Sequence, residues 1–178
     1  MTLIKENSVA QLRIIEDVAS IADMAHIPLA LRGGWALDFL LGEITRLHGD
    51  IDFNVWIEDL DKITSTLQSA GYECEGVTAE PLRNFHKYGE TIQVAALQKI
   101  SDTVVSPAGY PEYSLLPGLM HGPIVILEGV RCRTATAEAQ LDAKEKKLFW
   151  DPGETYSDKA LADMKLLRHY LSQKKESL

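Results

Sequence analysis

Apolar residues recur at helical spacing in the segment SVAQLRIIEDVASIADMA, where Val9, Leu12, Ile15, Val18, Ile21 and Ala22 fall on one stripe. The spacing predicts a helix from Ser8 to Ala25 with Ser8 as its N-cap. IPLALR is a short apolar run stopped by Gly33-Gly34 and reads as a buried strand, and Trp35–Leu41 reads as a short helix closed by Gly42. IDFNVWI alternates Ile51, Phe53, Val55 and Ile57 against Asp52, Asn54 and Trp56, the period of a half-buried strand. LDKITSTLQSAGY predicts a helix ending at Gly71, YECEGV and RNFHKYG predict strands, and ETIQVAALQ predicts a strand with Ile92, Val94 and Ala96 on one face. SPAGYPEYSLLPGLMHGP, rich in proline and glycine, reads as a long loop, and PIVILEGVRCRT as a hairpin turning at Glu128-Gly129. ATAEAQLDAKEKKLF and SDKALADMKLLRHYL read as two closing helices. This order predicts an α/β (α+β) fold, a mixed sheet flanked by helices, with no Rossmann fingerprint. Residues 1–178 are expected to form a single domain in which 134–178 are a C-terminal helical part.

Composition narrows the function classes. A net charge of -8 argues against a nucleic-acid binder that works by covering phosphates with lysine and arginine, and it favours a cationic ligand. Cys74 and Cys132 match no metal-ligand spacing and form no disulfide framework. The N-terminal run lacks an apolar signal region and no apolar stretch reaches membrane-spanning length, so the expected location is the cytoplasm, with no membrane partner.

The chemistry concentrates in RGGWALDFLLGEITRLHGDIDF, Arg32 to Phe53. Asp50 and Asp52 are two apart at a strand start, so both carboxylates face one spot and repel unless something positive compensates. Mg²⁺ answers that need, because it prefers one or two carboxylates plus water and substrate phosphates. Gly33 and Gly34 offer bare backbone N–H groups at a helix start, where the dipole favours anions. Taken singly, a GG is only a turn and a D-x-D only a solvated strand start. Together they describe a nucleoside-triphosphate site bridged by metal.

The run GGWALDFLLGEITRLHGDID resembles the signature of the antibiotic nucleotidyltransferases, the aminoglycoside 2″-adenylyltransferases and small lincosamide nucleotidyltransferases of the DNA polymerase beta-like superfamily. The match takes in the GGW triplet, Asp38, Gly42, Arg46, His48, Asp50 and Asp52 without insertion, and continues more weakly through GVRCRTATAEAQL to DKALADMKLLRHYL. The resemblance implies that Asp50 and Asp52 bind metal as catalytic carboxylates. It implies that Gly33 and Gly34 contact phosphate, with Arg46 and His48 beside it. Arg46 suits charge neutralisation because guanidinium stays protonated, whereas His48 at a loop–strand junction also fits a hydrogen-bonding bracket. Trp35 and Asp38 are read as packing and helix support. The implied reaction is transfer of a nucleoside monophosphate from ATP or another nucleoside triphosphate, with Mg²⁺, to a hydroxyl of an aminoglycoside- or lincosamide-like molecule.

The pattern breaks at the third carboxylate that the family carries on a neighbouring strand. Its position falls in Gly89–Val94 and is held by Gln93, which cannot accept a proton at neutral pH. Losing a general base costs on the order of 10² to 10⁴ in rate. Glu90 is out of phase with Gln93 and needs a bulge to replace it, while Glu80 in the preceding loop is another candidate donor. The alternative function is therefore a catalytically degenerate relative that binds nucleotide or serves as an interaction module. Lys144, Lys146 and Lys147 read as a solvated helix face, and Lys159 with Asp163 as an i,i+4 surface pair. Tyr110 and Tyr113 are placed to frame an acceptor pocket, and His86, Lys87 and Tyr88 to face the cleft or solvent.

Overall fold

The computed structural model describes residues 3–76, 81–150, 153 and 155–176, with side chains described for 8–76, 81–147, 153 and 155–176. A long helix α1 (Leu3–Met24) leads into strand β1 (Leu29–Arg32), and helix α2 (Gly33–Leu41) follows without a connecting residue. Strand β2 (Ile51–Trp56) and helix α3 (Leu60–Ser69) come next, then β3 (Glu73–Cys74), β4 (Leu82–Lys87), β5 (Glu90–Lys99) and the short β6 (Val105–Pro107). The hairpin β7 (Ile124–Leu127) and β8 (Val130–Arg133) precedes the closing helices α4 (Ala137–Trp150) and α5 (Asp158–Glu176).

The main sheet runs β1-β2-β5-β4-β3, with β6 on the far part of β5. Only the β2–β5 pairing is parallel; β1–β2, β4–β5, β3–β4 and β5–β6 are antiparallel. The predicted mixed α/β architecture is thus present. The hairpin turns at Glu128 and Gly129, whose φ angles of 48° and 85° are the positive pair that a tight two-residue turn needs. It is tied to the main sheet by a parallel bridge between Leu31 and Thr134.

Strand parity sorts the core into two layers. Leu29 and Leu31 of β1, Ile51, Phe53 and Val55 of β2, and Ile92, Val94 and Ala96 of β5 pack with α1 and α3 in the main cluster. The other face carries Ala30 and Leu97 under Val105, Leu115, Leu119 and Met120 of the loop and Ala135 and Ala139 beside it. Helix α2 is buried on all sides. Trp35, Ala36 and Phe39 enter the main core, while Leu37 packs with Leu167 of α5 and Ala137 of α4. A short helix that is apolar all round belongs inside, and the two closing helices are what cover its outer side.

Three expectations change. Helix α1 begins before Ser8, which is buried within it rather than capping it. Asn54 is buried on the face read as solvated, because its Nδ2 donates to the Leu119 carbonyl at 3.1 Å as the long loop folds over β2. That loop also contributes β6, which the prolines concealed.

The seam between the hairpin and β1 depends on Gly122. A Cβ there would overlap the Thr134 carbonyl oxygen and lie 2.8 Å from the Thr136 amide nitrogen, both backbone. Gly122→Ala is expected to destabilise the chain by about 2–4 kcal/mol and to lower Tm by roughly 5–15 °C, read by thermal circular dichroism. An unchanged Tm would mean that the seam yields freely.

Candidate active site

Register builds the site's central feature. Arg32 of β1 lies opposite Asp52 of β2, Asp52 opposite Gln93 of β5, and Gln93 opposite Asn84 of β4. Directly opposed residues share a face, so four polar side chains form one rung across the sheet. Arg32 Nη2 donates to Gln93 Oε1 at 2.7 Å and stands 3.4 Å from Asp52 Oδ1. Gln93 Nε2 donates in turn to Asn84 Oδ1 at 3.3 Å. The guanidinium only donates, which fixes the orientation of the Gln93 amide. Arg32 Nε is buried and has no hydrogen-bond partner among the described residues.

Burial raises the Asp52 pKa above its ordinary value; Arg32 opposes that, Asp50 adds to it, and Lys159 and Lys144 oppose it. The mutual repulsion expected of Asp50 and Asp52 is therefore present, and a side chain of the chain itself already answers part of it. Among the described residues Asp50 has no ion-pair partner.

The two glycines form the first turn of α2. Gly33 has φ of 70°, and a Cβ on it would meet Asp52 Oδ2 at 2.7 Å. No side chain caps this helix start, so its leading N–H groups remain available to an anion. Gly34 serves a second purpose, because a Cβ there would strike Arg46 Nη2 and lie 2.5 Å from His48 Nδ1.

Arg46 and His48 sit behind the glycines in a buried polar stack. Arg46 Nη1 donates to His48 Nδ1 at 2.9 Å, so His48 Nε2 is the nitrogen that donates to Asp38 Oδ2 at 2.6 Å. Asp38, fully buried, also accepts from Thr45 Oγ1 at 2.6 Å. The Trp35 ring lies 4.6 Å from the His48 ring, and Trp35 Nε1 donates to Gln11 Oε1 at 2.8 Å. Gln11 Nε2 donates to the His48 carbonyl at 3.1 Å and to Glu90 Oε2 at 2.6 Å. Trp35 and Asp38 hence act through packing and support, and His48 is bracketed at both ring nitrogens.

The closing helices reach this stack. Asp163 of α5 is buried and accepts from Arg46 Nη2 at 3.3 Å and from Lys144 Nζ of α4 at 3.2 Å. This corrects two expectations: Asp163 is no surface partner of Lys159, and Lys144 is not on a solvated face. A groove of about 230 Å³ opens there, lined by Lys144, Lys147, Tyr156, Ser157, Lys159 and Asp163.

Other candidates separate clearly. Glu90 is turned to the α1 side by Gln11, so it does not replace the missing carboxylate, as parity requires. Glu80 lies outside the described residues. His86 binds Glu75 and Lys87 binds Asp17, and Tyr88 is exposed. Tyr110 stacks on Tyr113 with ring centroids 5.7 Å apart and lines a second cavity of about 280 Å³ together with Arg32 and Asn54. Cys132 is a buried free thiol whose pKa burial pushes up to about 12, which makes it inert.

Sequence reasoning gave Arg32 no role. Its signal was a single cation ending the apolar strand LALR directly before two glycines. For a metal, the Asp52 carboxylate beside an uncapped helix start, with Asp50 two residues before it in the chain, is of the chemistry that Mg²⁺ with phosphates prefers. Among the described residues no cluster of three or more His, Cys, Asp and Glu side chains could hold a metal. The Gln93 side of the rung, where Arg32 stands, does not fit an ion.

A mixed sheet whose glycine-started helix faces strand carboxylates is the nucleotidyltransferase fold. The solution structure of the antibiotic-resistance factor ANT(2″)-Ia matches with a TM-score of 0.75 at 20% identity, over 94% of this chain and 88% of that one. The lincomycin-bound lincosamide adenylyltransferase LnuA matches with a TM-score of 0.63 at 20% identity, over 85% and 92%. The sequence profile of the aminoglycoside-2″-adenylyltransferase family matches residues 14–167, and the chain belongs to that family. The 2″-aminoglycoside nucleotidyltransferases of Klebsiella pneumoniae and Escherichia coli are 45% identical to it over 42 residues. That stretch is 24% of this chain and 24% of each relative, so the chain spans about a quarter of the length of the curated relatives it matches.

Because folding raises the Asp52 pKa, the folded chain holds this proton to higher pH than the unfolded chain does. The ionised carboxylate therefore costs stability at neutral pH, and the cost fades as pH falls through the folded value toward the ordinary one near 3.8. Asp52→Asn in EDTA is expected to raise Tm at pH 7 by roughly 2–4 °C, an effect of about 1 kcal/mol, and the gain should shrink toward pH 4. A Tm lowered at pH 7 would mean that the Arg32 pairing outweighs desolvation.

Proposed function

We propose that the chain is a nucleotidyltransferase that moves a nucleoside monophosphate from ATP or another nucleoside triphosphate, with Mg²⁺, to an oxygen of a small molecule in the cytoplasm. The observation that carries this reading is the uncapped, glycine-started helix α2 set against Asp52, with Gly33 so near the carboxylate that a side chain would meet it at 2.7 Å. Bare N–H donors and a carboxylate at one spot suit a phosphate whose charge is shared with a cation.

In this reading the Gly33 and Gly34 amides hold the triphosphate, and Arg46 and His48 support the cradle from behind. Lys144, Lys147 and Lys159 line the groove that takes the distal phosphates. Asp50 and Asp52 would hold Mg²⁺, which supplies neutralisation of charge on the phosphates when bound. Residues 134–178 serve as the part that closes over α2. Relatives described as adenylyl-2″-tobramycin- and lincomycin-bound make hydroxylated antibiotics the first acceptors to try.

A second reading has its own observation. Gln93 is engaged at both ends, by Arg32 and Asn84, and offers no base, which suits a relative that binds nucleotide without transferring it.

Isothermal titration with Mg·ATP and pyrophosphate release with tobramycin and lincomycin test both. Expected is ATP binding that weakens about tenfold or more in Asp50→Asn and Asp52→Asn, roughly one charge-assisted interaction each. Binding unaffected by either substitution sinks the site; binding without pyrophosphate release from any acceptor favours the second reading.

A further inference from the structure

The acceptor half of the site departs from what a hydroxyl nucleophile needs. A neutral hydroxyl must lose a proton as it attacks, and the rung beside Asp52 offers Gln93, whose amide takes none. The amide oxygen is also held by Arg32 at 2.7 Å. The arginine brings a permanent positive charge to the place where a base would stand. It also lines the cavity of about 280 Å³ on the same sheet face. That cavity lies one rung along: Asn54, Ala95 and Leu82 are paired across β2, β5 and β4 as its floor. Leu115, Leu119 and Tyr110 of the long loop also line it. Among its described lining residues there is one guanidinium and no carboxylate. Such a lining gives a polycation no carboxylate to pair with, whatever the net charge of -8 does at long range. The buried Arg32 Nε has no partner among the described residues and is a donor that a ligand could satisfy.

We infer that the acceptor is a mostly apolar small molecule whose attacking oxygen is already an anion, a carboxylate or phosphate monoester, drawn in by Arg32. This rests on the nucleotidyltransferase reading above and narrows it. The chemistry balances without a base. A lone pair of the acid oxygen forms the new bond to the α-phosphorus as the bond to the bridging oxygen breaks. That electron pair leaves with pyrophosphate, no proton moves, and nothing is oxidised or reduced. The product is an acyl phosphate, a mixed anhydride, from a carboxylate, and a P–O–P diphosphate from a phosphate monoester. With a cation bound, Asp52 would share its charge with it and Arg32 would keep more of its own for the acceptor.

The test pairs acids with matched neutral alcohols: phenylacetate against phenylethanol, hexanoate against hexanol, and phenyl phosphate against phenol, alongside tobramycin and lincomycin. Pyrophosphate release with Mg·ATP is followed, together with calorimetric binding of each probe to protein loaded with α,β-methylene-ATP. Expected are binding and at least tenfold faster release with an acid than with its partner. Arg32→Gln should lower both by roughly 10- to 100-fold, the loss of one charge-assisted hydrogen bond, and Arg32→Lys should lose less. Circular dichroism melts check that each variant is folded. Acids that fail to bind the nucleotide-loaded protein, or bind Arg32→Gln equally well, overturn the inference. Turnover with tobramycin, lincomycin or the alcohols in place of the acids also overturns it and leaves the transferase reading standing. Failure of wild-type protein to bind ATP removes both.

Discussion

The pairing of β2 between an antiparallel β1 and a parallel β5 is the constraint on which the site depends. It brings Arg32, Asp52 and Gln93, spread over more than fifty residues of chain, onto one line, and the β4–β5 pairing adds Asn84. The register is fixed by burial rather than by the polar contacts. Leu29, Leu31, Ile51, Phe53, Val55, Ile92 and Val94 fill the main core on the other face. A slip of one residue would turn all of them outward. The apolar pattern therefore holds the polar rung in place at a cost the core can bear. That cost is visible at Asp52, whose carboxylate is raised in pKa by burial even with a guanidinium nearby.

A second structural device couples distant chain to the same spot. Asp38, His48, Arg46, Asp163 and Lys144 form a continuous polar chain from α2 to the closing helices. Buried ionic groups contribute little net stability against an apolar alternative, but removing one member strands the rest, at about 3–5 kcal/mol. Such a network specifies position more than it stabilises. Here it sets the angle at which α5 meets α2, and with it the placing of Lys144 and Lys159 near Asp52. The absent Cβ of Gly34 is part of the same device, since a methyl group would push Arg46 and His48 away. One glycine in the pair faces the carboxylate and the other makes room for the stack behind it.

Much of this could be read from the sequence, and the limits have physical causes. Alternation in IDFNVWI and ETIQVAALQ set the faces of β2 and β5, which is why Glu90 could be assigned to the side away from Gln93 before any contact was known. Gly42 and Glu128-Gly129 marked a helix end and a turn because positive φ restricts which residues serve. Arg32 could not be assigned in the same way. Its role comes from partners 20 and 61 residues away, and a cation at a strand end looks solvated until the register is known. Asp163 and Lys144 escaped for the same reason: an i,i+4 spacing suggests a surface pair for Asp163 and a run of lysines a solvated face for Lys144, and only the meeting of α4, α5 and Arg46 brings the two together. Strand β6 was hidden by Pro107 and the prolines that follow it in the loop, since a short strand at the sheet's margin tolerates a residue that a central strand does not.

The site divides into two halves that answer to different chemical demands. In the proposed reading, holding a triphosphate requires donors and shared positive charge, which the uncapped α2 start and the groove lysines would supply, with a cation on the two aspartates. Activating an acceptor depends on what the acceptor brings. A neutral nucleophile needs a group that can take its proton, placed within hydrogen-bond reach; an anionic one needs a fixed positive charge and a route past the negative charge of the nucleotide. An arginine held by Gln93 and Asp52 cannot meet the first demand at any physiological pH, because guanidinium does not deprotonate there. It meets the second directly. Gln93 and Arg32 act as a pair: the amide oxygen accepts from the guanidinium and orients it without neutralising it, as a carboxylate at that position would. In the proposed reading, a site that keeps its phosphate half and sets Arg32 where the acceptor enters would run nucleotidyl transfer to an oxygen that arrives already ionised.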